Sequence, residues 1–189
     1  MKVRFWTIQK LDILTVLLQH GVYQPVFQYS DYVESSPALY DLYDFMLYHY
    51  NKLNRTDVPG LVFTFLKRDE DGAIYDFTNF QEFRQFIIDH AISIKALWKN
   101  LASKNTVIMC VEKEITDENM MVVDLNDFQY LMPPIIQAYP YSEGYTDFLL
   151  NSLSSGTQIQ SIFPSNIIQA HIPDIKAEEV IGLYPMFDL

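Results

Sequence analysis

Two polar residues interrupt an apolar segment near the end of the chain, and their side chains could bind a ligand. Gln169 and His171 stand two positions apart in the segment 167–172, whose other residues are Ile and Ala. This composition predicts a strand, on which both side chains point to the same face. Two interpretations stay open. The pair faces water, or it lines a cleft in which an amide and an imidazole contact a ligand.

A second pair of chemically capable residues, Glu112 and Glu114, shares one face at the end of the strand predicted to begin at Thr106. Paired carboxylates can divide the roles of acid and base when burial separates their pKa values. The strand becomes polar towards Thr116, however, so a solvated strand end is the favoured interpretation. The aromatic pair Phe63 and Phe65 is expected in the core, with a stacking platform for a ligand as the alternative.

The sequence lacks the common catalytic and metal-binding motifs. Its six glycines are scattered singly, without a phosphate-binding loop or a dinucleotide fingerprint. Four histidines without an i, i+4 pair, together with the single Cys110, do not form a recognisable zinc site. We therefore expect no metal. Cys110 lies in an apolar run and is expected to be buried as a free thiol.

Composition predicts one globular domain, residues 1–189. Hydrophobic residues make up 49% of the chain and charged residues 20%, and no tract rich in Pro, Gly or Ser divides it. The net charge of −11 argues against nucleic acid and anionic membranes as partners. With no apolar run of bilayer length and no secretory signal, a cytoplasmic location is expected.

Helical and strand patterns alternate without regular βαβ units, which predicts an α+β fold with a mixed, mainly antiparallel sheet and several helices. Strands are predicted over residues 3–8, 61–66, 74–77, 106–113, 120–123, 158–163, 167–172 and 181–183. Helices are predicted from Leu11 to a stop at Gly21, over 37–51, behind a capping box at Thr78, and over 93–101, 125–131, 146–153 and 175–180.

Several short stretches, in order along nearly the whole chain, resemble motifs of a bacterial family known as domain of unknown function three-eight-four-one. The main ones are Trp6-Thr7-Ile8-Gln9, Leu42-Tyr43-Asp44-Phe45-Met46, Phe63-Thr64-Phe65, Ile168-Gln169-Ala170 and Glu179-Val180. Phe128-Gln129 stands where the family has Trp-His, so a chemical role of that histidine would be lost here. The resemblance implies a bacterial protein and no established activity.

The N-terminal strand, helix and glycine, followed by a late strand with a polar residue, remotely resemble small ADP-ribosyltransferases. This resemblance implies an ADP-ribosyltransferase-like fold and NAD as the cofactor. The early His or Arg of those enzymes corresponds to Trp6 or Thr7, and their late Glu corresponds to Gln169. Because an amide cannot act as a base, the resemblance implies a degenerate enzyme.

These observations predict a domain that binds a small molecule or a protein partner. The expected ligand-binding residues, brought together from the first and last strands, are Trp6, Thr7, Gln9, Asp124, Gln169 and His171. The alternative is an NAD-dependent transferase-like enzyme that acts on nucleic acid or protein, and a third possibility is an acidic protein that neutralises a basic partner. The sequence leaves open whether the chain is catalytic and which oligomer it forms.

Overall fold

The computed structural model describes residues 2–30, 37–90, 105–116, 119–127, 154–155, 161 and 164–185. The described strands are β1 (Lys2–Lys10), β2 (Val22–Tyr23), β3 (Val62–Arg68), β4 (Ile74–Tyr75), β5 (Thr106–Glu114), β6 (Met121–Asp124), β7 (Ser154–Ser155), β8 (Ile167–Ile172), β9 (Ile175–Lys176) and β10 (Val180–Pro185). The described helices are α1 (Asp12–His20), α2 (Pro37–Asn54) and α3 (Phe80–Asp89), with 3₁₀ turns at Phe27–Tyr29 and Ala177–Glu179.

The main sheet has eight described strands, in the order β10-β5-β1-β3-β8-β6-β7, with β4 paired to the end of β3. Each described pairing is antiparallel, and β2 and β9 form a separate two-stranded sheet. Strands that are distant in sequence, such as β3 and β8, lie side by side at its centre. The α+β class with a mainly antiparallel sheet is therefore confirmed.

Helices α2 and α3 cover one side of the sheet, which we call the α2 face. Strand residues on this face include Trp6, Phe65 and Val123. The helical side chains in the same cluster are Phe45, Met46, Tyr50, Phe83 and Ile87. Burial of these large aromatic and aliphatic groups is the main stabilising contribution on this side.

The opposite side, which we call the α1 face, has its own apolar cluster. Strand residues Phe5, Met109 and Ile168 contribute to it, and Ile13 and Leu17 of α1 pack against them. A sheet buried on both sides explains why β5, β6 and β8 are nearly continuous apolar runs rather than alternating ones.

Local sequence signals set the ends of two helices. α1 stops at Gly21, whose positive φ of 73° suits glycine. α3 starts after Asn79, whose side chain accepts a hydrogen bond from the backbone N–H of Glu82. The capping box predicted at Thr78 is thus wrong by one residue, because Asn79 supplies the acceptor and Thr78 N–H donates to the Glu82 carboxylate instead.

The C-terminal region differs from its predicted pattern. Residues 175–180 form β9 and a 3₁₀ turn rather than a turn of α-helix, because Ile175 and Lys176 pair with β2. Of the helix predicted over 125–131, residues 125–127 are described and are helical. The helices predicted over 93–101 and 146–153 lie outside the described residues, as does the strand over 158–163 apart from Ser161. Of the described helices, none has the length and apolar character needed to cross a membrane.

Candidate functional site

Strand β1 diverges from β3 at the middle of the sheet. β1 pairs with β5 along all nine of its residues, whereas its described pairing with β3 consists of Trp6 opposite Phe65. On the Arg4 side of Trp6, residues 76–77, which follow β4, occupy the gap between β1 and β3. The Asp76 carboxylate accepts the Arg4 N–H at 3.0 Å, and the Phe77 carbonyl accepts the Trp6 indole N–H at 3.1 Å.

On the other side of Trp6, side chains replace backbone hydrogen bonds between the diverging strands. The Thr7 hydroxyl donates to the carbonyl of Phe63 in β3, and the Gln9 amide donates to the Thr7 hydroxyl at 2.8 Å. Thr7 lies opposite Met109 and Gln9 opposite Val107, both in the α1-face cluster. Thr7 therefore joins β1 to β3 on the α1 face, and Gln9 donates to its hydroxyl from the same strand.

Gln169 and His171 lie at the centre of the sheet, on the α2 face. Gln169 stands between Phe65 of β3 and Val123 of β6, and His171 stands between Phe63 and Met121. The two side chains are 0% and 2% exposed. Both point to one face, as predicted, but the interpretation that they face water is wrong because both side chains are buried.

The polar atoms of this pair have no hydrogen-bond partner of ordinary geometry among the described residues. These atoms are Oε1 and Nε2 of Gln169 and both ring nitrogens of His171, and the hydroxyl of Tyr50 on α2 shares this condition. An unsatisfied buried polar group costs about 1–3 kcal/mol of stability. Across the sheet, by contrast, the Thr64 hydroxyl donates to the Ala170 carbonyl at 2.9 Å. We call Gln169 and His171 the interior polar cluster.

Burial favours the uncharged forms of His171, His49, Tyr50 and Cys110 near neutral pH. It lowers the pKa of His171 to about 4, an effect that the Met121 backbone partly opposes. Burial and the nearby Lys52 lower the pKa of His49 to about 4, and burial raises that of Tyr50. Burial also raises the pKa of the Cys110 thiol to about 12. Cys110 is a buried free cysteine, as predicted. A neutral imidazole offers one donor and one acceptor.

Buried charge is instead found on the α1 face. Lys113 lies opposite Val3 and contacts the carboxylates of Asp174 and Glu179 at 2.6 and 2.9 Å. Asp124 lies opposite Ile168, and its carboxylate accepts the backbone N–H groups of residues 126 and 165 at 2.9 and 2.7 Å. Asp124 therefore fixes the end of β6.

The six predicted ligand-binding residues do not converge on one cleft. Trp6, Gln169 and His171 lie on the α2 face, and the remaining three lie on the α1 face, so the sheet separates Gln9 from Gln169. The burial of Tyr50 in the α2-face core was missed, although this residue extends the apolar stripe of α2 one turn beyond Met46. The position of Phe63 beside His171, at a ring-centroid distance of 5.6 Å, depends on strand register and had no signal in the sequence.

Two surface cavities lie away from the interior polar cluster. One, of about 290 Å³, lies between the turn Asp69–Gly72 and residues 164–166. The other, of about 180 Å³, lies between Arg4 and Trp6 of β1, residues 78–79 before α3, and Tyr184 of β10. In the described parts of the chain, no group of three or more His, Cys, Asp or Glu side chains could hold a metal ion.

Comparisons with known proteins returned nothing: no family model, no curated protein and no solved structure matches this chain. The resemblances to the family of unknown function and to ADP-ribosyltransferases therefore stay predictions.

Proposed function

We propose that this protein binds a small molecule on the α2 face, through Gln169 and His171. The observation that supports this is the buried Gln169 amide, whose oxygen and nitrogen both lack a hydrogen-bond partner in the described chain, beside the buried imidazole of His171, which interacts with the Met121 backbone. The fold supplies partners for the neighbouring buried side chains of Thr64 and Asp124, whereas single atoms of Asn54, Arg68 and Ser161 also lack one. A bound molecule would supply what the described protein groups do not.

The position of the pair supports a ligand in addition to any buried water. A single water makes about three hydrogen bonds, which is fewer than the four polar atoms of Gln169 and His171. Retaining such groups lowers stability, and natural proteins keep costly groups mainly where function requires them. The surrounding rings of Phe63 and Phe65 would bury the apolar part of a ligand.

The proposal is tested by two measurements on purified protein. Denaturation followed by mass spectrometry of the soluble fraction identifies any small molecule that co-purifies in stoichiometric amount. Calorimetric titration with benzamide, benzoate, benzamidinium, toluene and NAD then compares the wild-type protein with Gln169→Leu. NAD is included because the transferase-like alternative requires it.

We expect either a released molecule or binding of at least one probe, and loss of that binding in Gln169→Leu. Thr64→Val is the matched control, since it removes a buried polar group on the opposite face. The proposal fails if nothing is released and no probe binds, or if binding is unchanged in Gln169→Leu.

A further inference from the structure

We propose that the larger surface cavity binds a small zwitterion, a molecule of amino-acid size with a carboxylate at one end and an ammonium or guanidinium group at the other. This cavity, of about 290 Å³, lies between Arg68 with the turn Asp69–Gly72 after β3 and residues 164–166 before β8. We call it the turn cavity. It shares no lining residue with the interior polar cluster, so the two sites can be tested independently.

Arg68 supplies a cation whose hydrogen bonding is incomplete. Its side chain is 15% exposed, and its buried Nη1 has no hydrogen-bond partner in the described chain. Nη1 pairs with the carboxylate of Asp124 at 3.7 Å, which is longer than a hydrogen bond. Both Asp124 oxygens already accept backbone N–H groups, at 2.9 and 2.7 Å. A carboxylate in the turn cavity would therefore give the Arg68 guanidinium the charge-assisted hydrogen bonds that it lacks.

The turn after β3 holds the wall of the cavity in place. The Asp69 carboxylate accepts the Ala73 N–H at 2.8 Å, and the Asp69 carbonyl accepts the Gly72 N–H at 3.1 Å. Gly72 has a φ of 87°, and a Cβ at this position would lie 3.3 Å from Nη2 of Arg68. Glycine thus lets the turn approach the guanidinium closely. A ligand would meet a wall that is formed before it binds.

Carboxylates on the same turn make an anion alone a poor ligand. Glu70 and Asp71 line the cavity and are exposed. Because like charges in one cavity repel, a bound carboxylate needs a cationic group on the same molecule to face these two residues. A ligand that is only cationic would leave Arg68 without its hydrogen bonds. The two requirements together define a zwitterion, with its carboxylate at Arg68 and its cation at Glu70 and Asp71.

The size and lining of the cavity select a small polar molecule. Apart from Pro164, its lining residues are polar, charged or glycine, and none is aromatic. Its volume lies near the lower limit of ligand pockets, which is ~300 Å³. L-arginine has a suitable size and charge pattern, since its guanidinium can form paired hydrogen bonds with a carboxylate.

The test uses three probes of nearly the same length. L-arginine carries the carboxylate and the guanidinium, L-citrulline replaces the guanidinium with an uncharged urea group, and agmatine lacks the carboxylate. Each is titrated into the wild-type protein at pH 7.5 by calorimetry, and chemical-shift changes of backbone amides locate the binding. The variants are Arg68→Gln and the double variant Glu70→Gln/Asp71→Asn. Glu178→Gln is the matched control, because Glu178 is exposed and lies outside the cavity.

We expect L-arginine to bind wild-type protein with a dissociation constant of about 1 mM and to shift the amides of residues 69–72 and 165–166. L-citrulline should bind about threefold more weakly, because its lost ion pair is exposed to water. Agmatine should bind about tenfold more weakly, since charges near the less exposed Arg68 are screened less. The double variant should weaken L-arginine binding about threefold and Arg68→Gln about tenfold, whereas Glu178→Gln should leave it unchanged.

Three outcomes would overturn the proposal. The first is no binding of L-arginine at about 20 mM, or shifts confined to other parts of the chain. The second is equal binding of L-citrulline and L-arginine, or unchanged binding in the double variant, which would refute the cationic end. The third is equal binding of agmatine, which would refute the carboxylate end. The comparison among probes uses wild-type protein, so it stays decisive even if Arg68→Gln, which removes the cation beside Asp124, fails to fold.

Discussion

Two buried polar side chains in the central strands, Thr64 and Gln169, differ in their hydrogen bonding. Thr64 on β3 points to the α1 face and donates a hydrogen bond to the carbonyl of Ala170. Gln169, one residue before Ala170, points to the α2 face and finds no described partner for either amide atom. The same two strands thus provide a hydrogen-bond partner for Thr64 and none for Gln169. Substitutions of Gln169 should therefore change the stability of the fold.

Gln169→Leu should stabilise the ligand-free protein. Leucine removes two unsatisfied buried atoms at nearly constant volume, so the free energy of unfolding should rise by about 1–2 kcal/mol. Thr64→Val, which breaks a made hydrogen bond, should lower it by about 1 kcal/mol. Urea denaturation at pH 7.5 measures both. A Gln169→Leu variant less stable than wild type would mean that protein groups satisfy the amide.

His171 should make stability fall in mild acid. Its pKa is about 4 in the folded protein and 6.5 in the unfolded chain, so the unfolded chain binds the proton more readily. The resulting stability is fully present above pH 6.5 and is lost as the pH falls towards 4, by up to roughly 3 kcal/mol. In His171→Phe this part of the slope should vanish, while His49 and the carboxylates still titrate. Equal slopes between pH 7 and 4.5 in urea denaturation would refute this.

At the scale of single elements, sequence patterns are informative where a strand or helix is long. The bounds of β1, β5 and β8 follow the predictions closely, because β-branched runs and terminal glycine or proline signals are local. Alternation also placed Gln169 and His171 on one face. Which face each strand turns to depends on its register with partners far along the chain, and no local signal contains that.

The shared site was mispredicted for this reason. Trp6 and Gln9 lie three residues apart on β1 and therefore point to opposite faces, so a cleft containing both with Gln169 was incompatible with an extended strand. The burial of Gln169 and His171 was difficult to predict for a different reason. A polar pair on a strand is typical of an exposed face, and only the folded structure shows that both side chains are buried.

Elements on the α1 face are tied together by Lys113. This lysine on β5 contacts Asp174 before β9 and Glu179 in the following 3₁₀ turn, and its side chain is 7% exposed. Lys113→Met should cost about 3 kcal/mol, because two carboxylates then lose their cation. Lys2→Met is the control: Lys2 is 70% exposed in its pair with Glu112, so the change should stay within about 0.5 kcal/mol. Similar losses in both variants, measured by urea denaturation, would contradict this.

At the scale of the whole molecule, the sheet consists of two parts that meet at β1 and β3. One part contains β10, β5 and β1, and the other contains β3, β8, β6 and β7. Long ladders hold each part together, whereas the described backbone pairing between the parts is Trp6 opposite Phe65. Side chains complete the junction, with Asp76 on one side of this pair and Thr7 on the other. The α2 face of the second part holds Gln169 and His171, so the junction borders the proposed site.

Thr7→Val should therefore loosen the junction between the two parts more than either part. The substitution keeps the side-chain volume but removes the hydrogen bond from Thr7 to the Phe63 carbonyl and the acceptor of the Gln9 amide. We expect the free energy of unfolding to fall by about 1 kcal/mol, and hydrogen–deuterium exchange to accelerate in peptides covering β1 and β3 but not in β8. Thr64→Val is the control of equal size, since its hydroxyl bonds within the second part and its loss should affect β3 and β8 instead. Uniform acceleration across all strands in Thr7→Val would show that the sheet opens as one cooperative unit, and the division into two parts would then be wrong.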